Sequence, residues 1–262
     1  MTKNLLLLIA VVCIFSCKKD SFITGSEAKL NLSEDSIYFD TLFTSTGSVT
    51  QYFKVFNDND QKLKISRIAV NGGVASYFRI NADGVSGPEV TDLEIEANDS
   101  LYVFITVKID PSAADLPYIV EDSINIDFNG NTRKVKLSAW GQNATFLNSV
   151  LIDQDVTFTN ERPFVILGGM LVGEGATLNI EKGTKIYLHA DAPLLVDGTL
   201  KAIGETFDST KIIFQGDRLD AGYKDYPGAW PGIYFSNKSA NNILKHVIVK
   251  NAYQGIVADG TV

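Results

Sequence analysis

From Lys29 to about Gly141 apolar and polar positions alternate in short runs bounded by turn residues, and no stretch keeps a helical period. Ser36 to Asp40 opens the series. Tyr52-Phe53-Lys54-Val55-Phe56 follows and stops at Asn57-Asp58-Asn59-Asp60, a cluster rich in turn formers. Leu63 to Ile68 alternates until Asn71-Gly72-Gly73, Tyr77 to Ile80 is short, and Leu93 to Glu96 breaks at Asn98-Asp99. Leu101 to Ile109 ends before Pro111, and Ile124 to Phe128 and Val135 to Leu137 flank Asn129-Gly130-Asn131, a hairpin signal. Seven or eight strands in this stretch predict an antiparallel β-sandwich.

Beyond the polar joint Gln142-Asn143-Ala144 the pattern repeats itself. Val172 recurs as Val196 at an offset of 24, and Leu178 as Leu200 at 22. Thr184-Lys185-Ile186-Tyr187-Leu188 returns as Thr210-Lys211-Ile212-Ile213-Phe214 at 26, and Gly232-Ile233-Tyr234-Phe235 as Gly255-Ile256-Val257-Ala258 at 23. Short apolar strands at such a period mark a solenoid, and the Leu-x-x-Leu-x-Leu frame of a leucine-rich repeat is absent. The spacing resembles a right-handed parallel β-helix of the pectate lyase kind. That resemblance implies about five coils over 144–262, with Val172 over Val196, Leu178 over Leu200 and Leu188 over Phe214. Gly175, Gly198, Gly232 and Gly255 then stand at corners where a side chain would clash. The stretch 29–141 in turn resembles immunoglobulin-like modules of the Hydin and bacterial anchor type. The likeness rests on the strand Phe53 to Asn57, on Leu63-Lys64-Ile65, and on the ending Leu137-Ser138-Ala139-Trp140-Gly141. The fold expected is therefore all-β: an Ig-like antiparallel β-sandwich followed by a right-handed parallel β-helix.

The N-terminus alters the picture of where such a chain works. After Met1-Thr2-Lys3-Asn4 comes an apolar run of eleven residues, Leu5 to Phe15, too short to span a bilayer as a helix, which needs about 20. It closes on Ile14-Phe15-Ser16-Cys17 and is followed by Lys18-Lys19-Asp20. This resembles a bacterial lipoprotein signal and, with its charged start, surface lipoproteins of the Bacteroidetes type. The resemblance implies a signal peptide over 1–16 and lipidation of Cys17, with outer-membrane localisation and exposure at the cell surface. Residues 17–28 are then a tether, and the membrane is a partner through the acyl chains. The strand Gly255 to Ala258 runs almost to Val262 without a polar cap, so the 144–262 solenoid is expected to continue in a longer chain.

Charge and composition narrow the chemistry. Twenty-three Lys and Arg against 31 Asp and Glu give −8, a poor balance for nucleic-acid binding. Two Cys and two His leave little for catalytic thiols or histidine-rich metal centres. No metal or other cofactor is expected, and Asp58, Asp60, Asp92, Asp99 and Asp122 lack calcium-loop spacing and read as turn or surface residues. No catalytic residue is assigned, because the motif sets of the pectin-degrading β-helix enzymes are missing. His189, close to Asp191, reads as a loop residue rather than a general base, and His246 as a surface or ladder residue. The longest interruption of the repeat, Gln215 to Trp230, carries Asp217, Asp220, Tyr223, Asp225, Tyr226 and Trp230. Aromatic faces stack on sugar rings while acids bond hydroxyls, so these six form a candidate glycan site. The alternative for Trp230 is a structural role, since Trp230-Pro231-Gly232-Ile233 resembles a strand start common in bacterial β-helices. The expected role is noncatalytic binding or adhesion to a glycan or an envelope protein. The alternatives are a polysaccharide lyase or hydrolase with catalytic coils past residue 262, and a scaffold for an outer-membrane complex.

Overall fold

A computed structural model of the chain describes residues 21–44, 47–110, 118–220 and 222–259. The expected signal segment, Cys17 and the last three residues lie outside them. The chain is all-β: apart from two three-residue 3-10 turns, every element among the described residues is a strand.

The first ten strands are β1 (Leu30–Leu32), β2 (Ser36–Phe43), β3 (Gln51–Asn57), β4 (Leu63–Val70), β5 (Phe78–Ala82), β6 (Val85–Gly87), β7 (Glu89–Ile95), β8 (Ser100–Val107), β9 (Tyr118–Phe128) and β10 (Asn131–Gln142). They form two five-stranded sheets, in the orders β1-β3-β8-β5-β6 and β2-β10-β9-β4-β7. The pairs β1–β3, β3–β8, β5–β6, β4–β7 and β4–β9 are antiparallel. Alternation places the side chains: Phe53 and Val55 of β3 and Leu101, Val103 and Ile105 of β8 are buried, whereas Tyr52, Tyr102 and Phe104 face outward. β1 and β6 escape the sequence pattern because three residues are too few to show a period.

Two asparagines hold this part together. Asn57, at the end of β3, is fully buried. Its Nδ2 donates to the carbonyls of Gln61 (2.9 Å), Ile95 (3.0 Å) and Glu96 (2.8 Å), while its Oδ1 accepts from the backbone N–H and Nδ2 of Asn59 (3.1 and 2.7 Å). Asn129 and Gly130 both adopt positive φ (44° and 77°), the geometry of a two-residue hairpin, so the turn read from the sequence is the one made. The Asn129 Nδ2 donates to the carbonyls of Ile23 and Gly25 (2.9 and 3.0 Å), and Asn131 Nδ2 donates to Ser26 O at 2.8 Å. Phe22 forms a parallel bridge with Lys62. The expectation of a free tether through Ala28 is thus corrected for Ser21–Ala28: hairpin amides and a sheet edge supply the partners its backbone would otherwise find in water.

The five acids of the turn clusters are all engaged in local bonds. Asp122 accepts from the N–H of Gly72 and Ser123 and from Ser76 Oγ; Asp58 accepts from Asn31, Asp60 from Asn98 and Asp99 from the N–H of Ser100. Asp92 pairs with Lys64 at 2.8 Å, and that ammonium pulls the exposed Asp92 carboxyl below its usual range. These are turn and surface roles.

By contacts the chain divides into two units. Among the described residues, one holds Ser21–Ile37 with Thr50–Thr106 and Glu121–Leu137. The other holds Tyr38–Val49, Val107–Val120 and everything from Ser138.

In the second unit lie β11 (Thr145–Ile152), β12 (Val156–Phe158), β13 (Phe164–Val172), β14 (Thr177–Ile180), β15 (Lys185–Leu188), β16 (Leu194–Val196), β17 (Thr199–Ile203), β18 (Ile212–Gly216), β19 (Ile233–Phe235), β20 (Ile243–Lys245), β21 (Val247–Val249) and β22 (Ile256–Ala258). They pair with one another in parallel, and the registers align equivalent side chains in three rows. Phe164, Ile186, Phe214 and Val249 align in one stack. Ile152, Val172, Val196, Phe235 and Ala258 align in the second, and Phe158, Ile180, Ala202 and Leu244 in the third. Most of these side chains belong to one buried apolar cluster, which Leu244 and Val249 border.

The expected contacts Val172 over Val196 and Leu178 over Leu200 are present. The third is corrected: Leu188 lies opposite Gly216, and Phe214 lies opposite Ile186. A slip of two residues keeps every side chain on its face, so alternation fits either register. The 3-10 turn Asp208–Thr210 decides between them by bringing the Thr210 carbonyl to the Gly183 N–H at 3.0 Å. Two corner glycines are required by close backbone. A Cβ on Gly198 would lie 2.3 Å from the carbonyl oxygens of Gly173 and Ala176, and one on Gly232 would lie 1.7 Å from Gln254 O. Gly255 has nothing nearer than 4.0 Å, so the expectation of a clash there is wrong; that corner has room for a methyl group.

Candidate functional site

The site lies in the second unit, where the chain leaves β18 at Gly216 and returns at Ile233. Within this excursion Asp220 organises a turn: its carbonyl accepts from the N–H groups of Tyr223 (2.8 Å) and Lys224 (3.0 Å). Arg218 makes a two-pronged pair with the Asp220 carboxylate, both bonds at 2.9 Å, and its guanidinium carbon stands 3.7 Å from the Tyr223 ring centre. The Asp220 hydrogen bonds push the Arg218 pKa up, against a smaller opposing effect of burial. Tyr223 meets Tyr226 edge-on at 5.7 Å and 71°. Both rings stay open to solvent, at 49% and 62%, and Asp225 between them is exposed. Asn251 fastens the loop from the next circuit, donating to the carbonyls of Lys224 and Tyr226 at 3.0 Å each.

Of the six residues the sequence singled out, the structure leaves Asp220, Tyr223, Asp225 and Tyr226 on one exposed loop. Trp230 is corrected: it is 1% exposed inside the apolar cluster, with Nε1 donating to Lys250 O at 2.9 Å, and it presents no face to a ligand. Asp217 belongs to another group. Its Oδ2 lies 2.7 Å from Nδ1 of His189, whose side chain is 48% exposed. The neighbour of His189 in sequence, Asp191, instead accepts from the Gly168 N–H at 3.3 Å. His246 stands at a corner with φ of 51°, its carbonyl accepting from the Ile212 N–H at 3.2 Å.

His189, Asp217 and Arg218 form the polar side of a hollow of about 260 Å³, and Phe43, Phe146 and Leu167 its apolar side. Behind this wall Phe43 packs edge-on against Tyr187, 4.7 Å between centres, and burial pushes the Tyr187 phenol up while a hydrogen bond with Gln215 opposes it. Sequence reasoning missed Arg218 and the His189–Asp217 pair. The signal for the pair was the offset of 28 that the β15–β18 register sets, visible only once that register is known. Among the described residues no group of three or more His, Cys, Asp or Glu is placed to hold a metal. The arrangement offers stacking surface, the cations Arg218 and Lys224, and several hydroxyl and carboxylate partners, which suits reversible recognition of a polar, ring-bearing ligand.

No protein-family model matches the chain, nor does any curated protein. Among solved structures it is similar to a family 123 glycoside hydrolase from Clostridium perfringens, at 10% identity and a TM-score of 0.32. The match covers 46% of this chain and 30% of that one. It is also similar to the ASH/PapD-like domain of human CEP192, at 13% identity and a TM-score of 0.29, covering 48% of this chain and 92% of that one. The CooA pilin subunit of enterotoxigenic Escherichia coli matches at 10% identity and a TM-score of 0.31, covering 44% of this chain and 97% of that one.

Proposed function

We propose that the chain is a lipid-anchored cell-envelope protein, with an Ig-like sandwich module followed by a right-handed parallel β-helix, that binds a glycan or an envelope protein without transforming it. One observation carries the binding role: on the loop between β18 and β19, Arg218, Asp220, Tyr223 and Tyr226 hold one another in place while the two rings remain 49% and 62% exposed. Side chains ordered before a ligand arrives lose little freedom when it binds. The three in-register parallel stacks support the β-helix reading, because a rigid wall is what keeps such a loop in one geometry. The anchor rests on the Leu5–Cys17 segment alone.

Retention of the full chain on insoluble polysaccharide tests the role. Tyr223→Ala with Tyr226→Ala is expected to weaken it roughly tenfold, the scale of losing exposed aromatic anchors. Unchanged retention would remove the loop from the site. For the anchor, cells fed labelled palmitate are expected to label this protein and to lose that label in Cys17→Ala; equal labelling of both rules it out.

A further inference from the structure

The outward face of the β1-β3-β8-β5-β6 sheet differs in kind from the rest of this acidic chain. Its five strands contain no Asp or Glu, and their only charged residues are Lys54 and Arg79. The strands of the other sheet carry seven acids, among them Glu89, Asp92 and Glu121. Asp58, Asp83 and Asp99 lie one residue beyond the ends of β3, β5 and β8.

On that face three rings cluster. Tyr52 stands opposite Phe104, and Lys54 opposite Tyr102. Tyr102 and Phe104 are nearly parallel (10°) with centres 5.7 Å apart, and Tyr52 is tilted against both at 5.3 and 6.1 Å. The rings are 54% (Tyr52), 40% (Tyr102) and 40% (Phe104) exposed, far more than rings that serve only to pack. The Lys54 ammonium lies 4.5 Å from the Tyr102 ring centre, and the Tyr102 hydroxyl holds its pKa above the usual value. Phe104 also walls a hollow of about 740 Å³, whose other side carries Arg79 and Asn81. Arg79 is fixed by donating to the carbonyls of Val74, Ser76 and Phe78. Those three bonds use three of its five N–H donors, leaving Nε–H and one Nη2–H for a ligand.

We propose that this face is a second binding site, for a sugar chain bearing carboxylates: Tyr52, Tyr102 and Phe104 stack on the pyranose rings, Lys54 and Arg79 take the carboxylates, and Asn81 bonds hydroxyls. Stacking rings with two cations on strands that carry no acid suit an anionic, ring-bearing polymer, and the hollow has the volume of small-ligand sites. The site does not depend on the loop between β18 and β19.

The test is calorimetric titration of the full chain with a short oligomannuronate, compared with the neutral manno-oligosaccharide of the same length. The acid is expected to bind, more tightly than its neutral analogue, and to bind roughly tenfold more weakly to Phe104→Ala and to Lys54→Gln. The second variant changes one exposed side chain, so it tests the site even where loss of a ring disturbs β8. Tyr223→Ala with Tyr226→Ala is expected to leave this binding intact, which separates it from the loop reading. Absence of oligomannuronate binding, or wild-type affinity in both variants, overturns the proposal. So does oligothymidylate binding as tightly with the same dependence on the variants, which would assign the face to single-stranded nucleic acid.

Discussion

Asn57→Ala is expected to destabilise the first unit by about 2–5 kcal/mol, because one buried amide serves four backbone groups at once. Its Nδ2 holds the carbonyls of Gln61, Ile95 and Glu96, and its Oδ1 holds the Asn59 N–H. Alanine removes both sides of this arrangement and leaves the carbonyl of Ile95, which is bonded within the interior, without its donor. Each buried polar group so stranded costs about 1–3 kcal/mol. The side chain removed is itself fully buried, so its loss also leaves a cavity. Asn57→Asp keeps the volume but puts a buried carboxyl in place of the amide donors, facing three carbonyl oxygens, so it is expected to be at least as damaging without a cavity. Both tryptophans, Trp140 and Trp230, belong to the second unit, so the loss is read by circular dichroism during urea unfolding. A loss below about 0.5 kcal/mol, the range of ordinary surface changes, would mean that this amide is not the clamp described.

The same residue shows what the sequence made legible and what it did not. Asn57-Asp58-Asn59-Asp60 reads at once as a turn, since all four residue types favour one. Nothing local says that the first of them points inward to carbonyls almost forty residues away, because that depends on where β7 ends. The parallel stacks follow the same logic. Val172 and Val196 could be matched because each follows a leucine, in Leu171-Val172 and Leu195-Val196. Phe214 could not be matched correctly, since a two-residue slip costs nothing in alternation and only the turn at Asp208–Thr210 resolves it. At the site, loop residues adjacent in sequence were found together, as Tyr223 and Tyr226 are. Pairs made between circuits, such as His189 with Asp217, were hidden by the same error of register. The aromatic face of the other sheet was hidden differently. Tyr52, Tyr102 and Phe104 read as ordinary strand residues until β3 and β8 are paired. An absence of acids across five separated strands has no local signal at all.

Gly232→Ala is expected to cost the second unit about 3 kcal/mol or more. The added methyl group would stand 1.7 Å from the carbonyl oxygen of Gln254, and the obstacle is backbone, which cannot swing aside as a side-chain end can. The φ of 132° adds strain for any residue with a Cβ, about 1–3 kcal/mol by itself. Nor can the corner shift as a whole. Leu194 N–H donates to Gly232 O (3.1 Å) on one side, while Ile233 N–H donates to Gly255 O (3.2 Å) and Gln254 N–H to Pro231 O (3.0 Å) on the other. Relief of the clash therefore breaks ladder bonds on one face or the other. Gly255→Ala, one rung away with 4.0 Å of clearance, is expected to stay within about 0.5 kcal/mol of wild type. Emission from Trp230, two residues before the substitution and buried beside Ala252, reports the unfolding. The bonds that the clash puts at risk join β19 to β22 and the corner before it. Amide exchange is therefore expected to accelerate most at Ile233, Tyr253, Gln254 and Asp259, whose bonds cross between β19 and β22 or close that corner. Equal stability of the two alanine variants would mean that the circuits do not approach each other at Gly232 as this geometry requires.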